Sequence, residues 1–230
     1  MFNIWIINSF PTWWASNWLL NGLVSYYKMD TNWSFPDAHG SNPWTINGAT
    51  FTASGKINWA YDFDWNNDYI DFAAYTLSTI SVSTWVKFDT LPTASCLYST
   101  ISVSPNIRIF ECRTQWNKLQ LAMNDWSFSW LNWTTSLTTG VFYNIIFTYN
   151  SITGNRKIYL NGSLEASDTF TSWLSFNWTT DINIWAYQSW FRFTNWIIDE
   201  NWIWSKELTD ADALAIYNSS AWLSYDDFTT

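Results

Sequence analysis

Glycine is scarce in this chain: seven residues in 230. Histidine occurs once, at His39 in a polar loop before Gly40. That removes paired-histidine and His-Cys zinc spacings. A serine–histidine–acid triad would have to use His39, and no nucleophile-elbow motif accompanies it, so His39 reads as a solvated loop residue. Glutamate is limited to Glu111, Glu165, Glu200 and Glu207. None belongs to the alternating carboxylate pattern that glycoside hydrolysis across a scissile bond demands, so no catalytic residues are assigned. Lys and Arg total 10 against 19 Asp and Glu, a formal net charge of −9. Such a chain lacks the basic footprint of a nucleic-acid binder and is ill-suited to an anionic membrane surface. No apolar run is long enough to span a bilayer. The opening "MFNIWIINSF" has no basic n-region and no clear cleavage site, so no signal peptide is expected.

Tryptophan is abundant, with 21 residues. Many follow Asn, Asp or Ser: Trp18, Trp33, Trp59, Trp133, Trp178, Trp196 and Trp202 follow Asn, Trp65 and Trp126 follow Asp, and Trp130, Trp173 and Trp190 follow Ser. These are the turn dipeptides N-G, D-G and S-G with the glycine replaced. Asn47-Gly48 and Asn161-Gly162 show the ordinary form between β-rich runs. A left-handed Trp costs about 1–2 kcal/mol, and a dozen would offset a domain's whole stability of roughly 5–15 kcal/mol. The reading is that most of the tryptophans are glycine in the source, through UGA decoded as glycine, with Trp85 and Trp204 retained and the other nineteen suspect. The competing reading is a Trp-rich sugar-binding protein with aromatic platforms.

The remaining pattern is all-β. "TISVSTWVKFD" alternates cleanly, with Ile80, Val82, Thr84, Val86 and Phe88 on one face. Further strands are read in "GLVSYYKMD", "TINGATFT", "AYDFDWNNDYIDF", "NKLQLAMND", "VFYNIIFTYN", "RKIYLNGSLEAS", "DINIWAYQ" and "NWIIDENWIW". This spacing indicates a sandwich or barrel. One helix is expected in "LTDADALAIYNS", capped by Thr209, with Asp210 and Asp212 in its first turn and Leu214 and Tyr217 in its apolar stripe. Residues 1–20 read as a flexible lead-in and 21–230 as one domain. Cys96 and Cys112 flank a strand–turn–strand segment, and either a cross-strand disulfide or two free thiols fits. Asp64, at the edge of a polar turn, suits an Asx-turn.

"GLVSYYKMD", "NGATF", "GKINWAYDFDWNNDYIDF", "ISVSTWVKF", "YNIIFTYN…RKIYLNG" and "IIDENWIWSKELTDADALAIYN" resemble the laminin-G-like jelly-roll family of the concanavalin A-like lectin/glucanase superfamily. The likeness covers about residues 21–225. It implies a two-sheet antiparallel jelly-roll sandwich with one short C-terminal helix. It also implies a non-catalytic recognition module of a secreted, surface or virion protein, binding a glycan or other cell-surface ligand. In related folds the first and last strands are neighbours and can hold calcium, which implicates Asp30 and Asp199 as metal ligands. Loops near 31–44, 92–106 and 186–195 are candidates for ligand contact, and Tyr187, Gln188, Phe191 and Arg192 form the most contact-like group. The alternatives are a structural or homo-oligomerising domain of a viral fibre without a sugar ligand, and a degenerate glycoside hydrolase.

Overall fold

The computed structural model describes residues 18–32, 36–64, 66–71, 75, 77–91, 94–101, 108–124, 128–171, 182–184 and 195–218. Every strand pairing among them is antiparallel. One sheet runs in the order β13 (Ser163–Thr169), β12 (Asn155–Leu160), β11 (Phe142–Asn150), β6 (Thr79–Phe88), β15 (Trp196–Trp204), β4 (Ala60–Phe63) and β3 (Thr50–Thr52). An eighth strand, β1 (Leu23–Tyr27), lies off this linear order. It pairs with the second half of β15, where β4 no longer does. The other sheet runs β10 (Phe128–Asn132), β9 (Lys118–Asn124), β8 (Arg108–Gln115), β7 (Ala94–Ile101), β14 (Ile182–Ile184), β5 (Tyr69–Asp71) and β2 (Thr45–Asn47). A short helix, α1 (Asp210–Tyr217), follows β15. The architecture is all-β with one short C-terminal helix, as expected.

Alternation explains the core. Ile80, Val82, Val86 and Phe88 of β6 join Ile145, Phe147 and Tyr149 of β11 and Leu119, Leu121 and Met123 of β9 in one large cluster. A second cluster on the eight-stranded sheet gathers Tyr26, Ile146, Tyr159, Trp202 and Trp204 beneath Ala213 and Ile216 of α1. Central strands are therefore covered on both faces, which is why β11 and β15 are buried along nearly their whole length. Leu19 also enters this second cluster, and its carbonyl accepts from Trp204 Nε1 at 2.7 Å.

The helix begins as anticipated. Thr209 Oγ1 accepts from Asp212 N, and the Asp212 carboxylate accepts from Thr209 N at 2.7 Å, forming a capping box. Its buried stripe differs from expectation. Ala213 and Ile216 face the sheet, whereas Leu214 is 58% exposed.

The turn-centre reading of tryptophan fails at most described positions. Trp85 and Trp204 are buried, as expected of retained tryptophans, but so are Trp44, Trp133, Trp196 and Trp202. Trp196 and Trp202 lie within β15, Trp130 lies within β10, and Trp18 lies in a short helical turn. Before Trp59 the left-handed residue is Asn58, with φ 50°. Asn tolerates that conformation, so the following position need not be glycine. Trp116 alone among the described tryptophans has a positive φ, 51°, in the β8–β9 turn. Trp65 lies outside the described residues. The Asx-turn is present: Asn66 N donates to Asp64 Oδ1 at 2.8 Å.

Cys96 and Cys112 are buried, unbridged thiols. A register shift between Cys96 and Tyr98 sets Cys112 opposite Tyr98 and Cys96 opposite Arg113. The two cysteines are therefore not directly opposed, which removes the geometry assumed for a cross-strand disulfide.

Candidate functional site

The last strand carries an irregularity at its centre. Glu200 takes a left-handed φ of 50°, and the β15–β6 register shifts between Asp199 and Trp202. The extra residue is a β-bulge. Before it Trp196 and Ile198 enter the inter-sheet core, and after it Ile203 does, while Trp202 and Trp204 turn to the helix side. The bulge buries two adjacent carboxyls, Asp199 and Glu200. Tyr26 Oη donates to Glu200 Oε2. Burial holds both carboxyls well above the usual carboxylate range; the charge of nearby Asp30 raises both, and that of Asp199 raises Glu200.

Asp199 organises the 53–59 loop that precedes β4. Its Oδ2 accepts from Ile57 N at 2.8 Å. Gly55 is the residue that permits this approach. A Cβ there would stand 2.6 Å from the Trp59 carbonyl oxygen and 3.0 Å from Asp199 Oδ2. Asp199 Oδ1 is fully buried with no hydrogen-bond partner. Asp30 holds the far end of the same loop. Its Oδ1 accepts from Trp59 N at 3.1 Å and its Oδ2 from Asn58 Nδ2 at 3.4 Å. The two acidic residues singled out from sequence thus meet on one loop, from opposite sides.

This loop presents an aromatic shelf. Trp59 is 43% exposed and stacks on Phe51 with centroids 4.7 Å apart and ring planes 5° from parallel. Phe51 leans on Tyr61 at 5.4 Å. Tyr61 Oη in turn donates to the Thr31 carbonyl at 2.9 Å. The indole is thus fixed from behind and open in front. Sequence reasoning passed over Trp59, because an Asn-Trp pair was read as a substituted turn.

The residues here suit a metal ion only in part. Both Asp30 oxygens already accept protein donors, and among the described residues no group of three or more His, Cys, Asp or Glu side chains is arranged to hold an ion. The unsatisfied Asp199 Oδ1 is the one feature that calls for a cation or a proton. Tyr187, Gln188, Phe191 and Arg192 lie outside the described residues. The glutamates have local explanations. Glu207 pairs with Lys157 at 3.0 Å, and Glu165 accepts from Thr134 and Thr135. Glu111, like Glu200, is buried. No helix among the described residues is long and apolar enough to cross a membrane.

A laminin-G domain model of the concanavalin A-like lectin/glucanases superfamily matches residues 64–213, more than half of the chain. The chain belongs to that superfamily. Among curated proteins, none matches its sequence. Solved structures show a similar fold at low identity. The receptor binding domain of botulinum neurotoxin D aligns with a TM-score of 0.69 and 15% identity, over 87% of this chain and 53% of that one. The receptor binding domain of botulinum neurotoxin type G aligns at 0.66 and 16%, over 86% and 51%. A structure titled for botulinum neurotoxin type C cell entry through interaction with two ganglioside molecules aligns at 0.70 and 14%, over 90% and 53%. The chain therefore spans about half the length of these structures.

Proposed function

We propose that the chain is a non-catalytic carbohydrate-recognition module, a jelly roll working outside the cell or on a virion surface, with the Trp59 shelf as its glycan contact. The observation that carries this reading is the exposed indole stacked on Phe51 and locked by Asp30. A rigid aromatic face binds the C–H face of a pyranose with little ordering cost. Asp30 and Asn58 beside it supply hydroxyl partners of the kind a sugar needs. The superfamily's lectin membership and the similar fold of the neurotoxin receptor binding domains support the same class. The net charge of −9 favours neutral glycans.

The test is a glycan array probed with the wild type and Trp59→Ala. Binding to a defined set of neutral glycans, lost in the variant, is the expected result. An array that stays blank, with the protein shown folded by its unfolding transition, would leave a structural or oligomerising virion domain as the better account.

A calcium ion held by Asp30 and Asp199 is a second element of the proposal. It is favoured by the buried, unpartnered Asp199 Oδ1. Calcium takes roughly six to eight oxygen ligands, and here it would stabilise the 53–59 loop rather than enter any reaction. Thermal unfolding with calcium and then with EDTA tests this. A calcium-dependent rise in Tm that Asp199→Asn abolishes supports the site. Identical curves in calcium and EDTA refute it.

A further inference from the structure

Where β11 turns back into β12, an amine, a carboxamide and a carboxyl meet on the face of the sheet that carries α1. Ile145, Phe147 and Tyr149 of β11 and Ile158 and Leu160 of β12 enter the inter-sheet core. Thr148, Asn150 and Lys157 alternate with them and so lie on the other face, with Ile146 and Tyr159 of the helix-side cluster. The register sets Thr148 opposite Lys157, which makes Asn150 the diagonal neighbour of Lys157. Glu207, from the connection between β15 and α1, reaches both.

Glu207 holds the two nitrogens on separate oxygens. Its Oε1 lies 3.0 Å from Lys157 Nζ, and its Oε2 accepts from Asn150 Nδ2 at 3.2 Å. The Asn150 carbonyl is gripped from its other end, where Oδ1 accepts from Ile152 N at 3.0 Å and Thr153 N at 3.3 Å. Two backbone N–H groups aimed at one carbonyl oxygen can stabilise the oxyanion of a tetrahedral intermediate. The backbone nitrogen next in sequence, which competes for an asparagine Cγ, is committed elsewhere: Ser151 N donates to the Ser78 carbonyl at 3.0 Å. The Lys157 and Glu207 side chains are only 24% and 20% exposed, so the groups meet with most of the solvent removed. Across from Lys157, Thr148 Oγ1 is buried without a hydrogen-bond partner.

We propose that Lys157 and Asn150 join through an isopeptide bond that the chain forms on itself, with Glu207 as general base and then general acid. Glu207 takes a proton from the Lys157 ammonium. Nζ attacks Asn150 Cγ, and the charge that develops on Oδ1 falls on the Ile152 and Thr153 N–H groups. Glu207 returns the proton to Nδ2 and takes the next one from Nζ. The Cγ–Nδ2 bond breaks, the carbonyl re-forms, and ammonia leaves, carrying that last proton away as ammonium. One amide replaces another, so the step needs no oxidant, reductant or cofactor. It happens once per chain and is a self-modification, not a turnover. The new amide N–H is left beside Thr148 Oγ1, which can accept from it. The bond closes the hairpin behind the 151–154 turn, where Ile152 is 82% exposed. A protease nick in such an exposed turn then leaves β11 and β12 covalently joined.

The experiment is intact-mass spectrometry of the denatured full chain, with a tryptic map, for wild type, Lys157→Arg and Glu207→Gln. Wild type is expected to be lighter than its sequence by one ammonia. Its digest should contain a branched peptide that joins the segment ending at Arg156 to the segment beginning at Lys157, because trypsin does not cut after an acylated lysine. Lys157→Arg keeps a cation for Glu207, Glu207→Gln keeps the side-chain volume, and both should return to the full sequence mass. A cooperative unfolding transition in each variant separates loss of the bond from loss of the fold. Wild type at its full sequence mass, cut normally after Lys157, overturns the proposal. A mass deficit that survives in Lys157→Arg is a succinimide at an asparagine and overturns it as well. A branched peptide that persists in Glu207→Gln refutes the role given to Glu207.

Discussion

Arg156 ties the strand that bears Trp130 to the opposite sheet, and removing its partner should cost more than removing Arg156 itself. The residue sits on β12 with its side chain 1% exposed. Its Nε and Nη2 donate to the two oxygens of Asp168 on β13 at 2.5 and 2.8 Å. Its Nη1 donates to the Ser129 carbonyl at 3.0 Å and Nη2 to Ser129 Oγ at 2.8 Å, both on β10. The guanidinium also lies 5.3 Å from the Phe170 ring. Asp168, by contrast, is 40% exposed. Arg156→Met keeps most of the volume, removes the charge and lets Asp168 rehydrate. The orphaned Ser129 groups then set a cost of about 2 kcal/mol. Asp168→Ala leaves a buried guanidinium without its anion. Such breaks cost roughly 3–5 kcal/mol, and partial entry of water at the exposed side favours about 3 kcal/mol. The double variant should be more stable than Asp168→Ala alone, because no buried charge remains. Urea unfolding of all three variants, read at unchanged m-value, measures this. An Asp168→Ala variant milder than Arg156→Met, or a double variant that is simply additive, would refute the argument.

Two further outcomes follow from buried ionisable groups. Burial lifts the Asp68 carboxyl to about 6, with the neighbouring charges of Asp64 and Asp62 adding to the rise. A raised folded pKa means the folded state holds the proton more tightly. The contribution is therefore full below the unfolded value near 3.8 and is lost as pH rises through about 6. Asp68→Asn should flatten that part of the stability–pH curve, and an unchanged slope would refute it. Cys96 and Cys112 should resist alkylation at neutral pH and react only on unfolding. Both are buried, and burial pushes the Cys112 thiol well up. Rapid labelling of the native protein, followed by mass spectrometry, would contradict this.

Much of the architecture was legible along the chain because alternation and capping are local. Ile80, Val82, Val86 and Phe88 enter one core as their spacing requires. Thr209 and Asp212 cap the helix through contacts three residues apart. The tryptophans misled for an equally local reason. Asn-Trp resembles a substituted turn, but in "INWA" the Asn takes the left-handed conformation and the Trp is free to stack. Trp196 and Trp202 follow asparagines and yet are core residues of β15, where the neighbouring strands and not the dipeptide set the backbone. The cysteine register also escaped local reading, since one bulge near Leu97 displaces the pairing by a residue.

The all-β class, the helix and its cap, and the acidic balance could be read along the chain alone. Period-two patterning, short-range hydrogen bonding and composition need no knowledge of distant partners. It took the folded chain to bring Asp30 and Asp199 onto one loop, to lay Trp59 on Phe51 and to set Arg113 against Trp130. Those relations join residues far apart in the chain. Strand order, the β15 bulge and the register between neighbours create them, and none of these is written in any single segment.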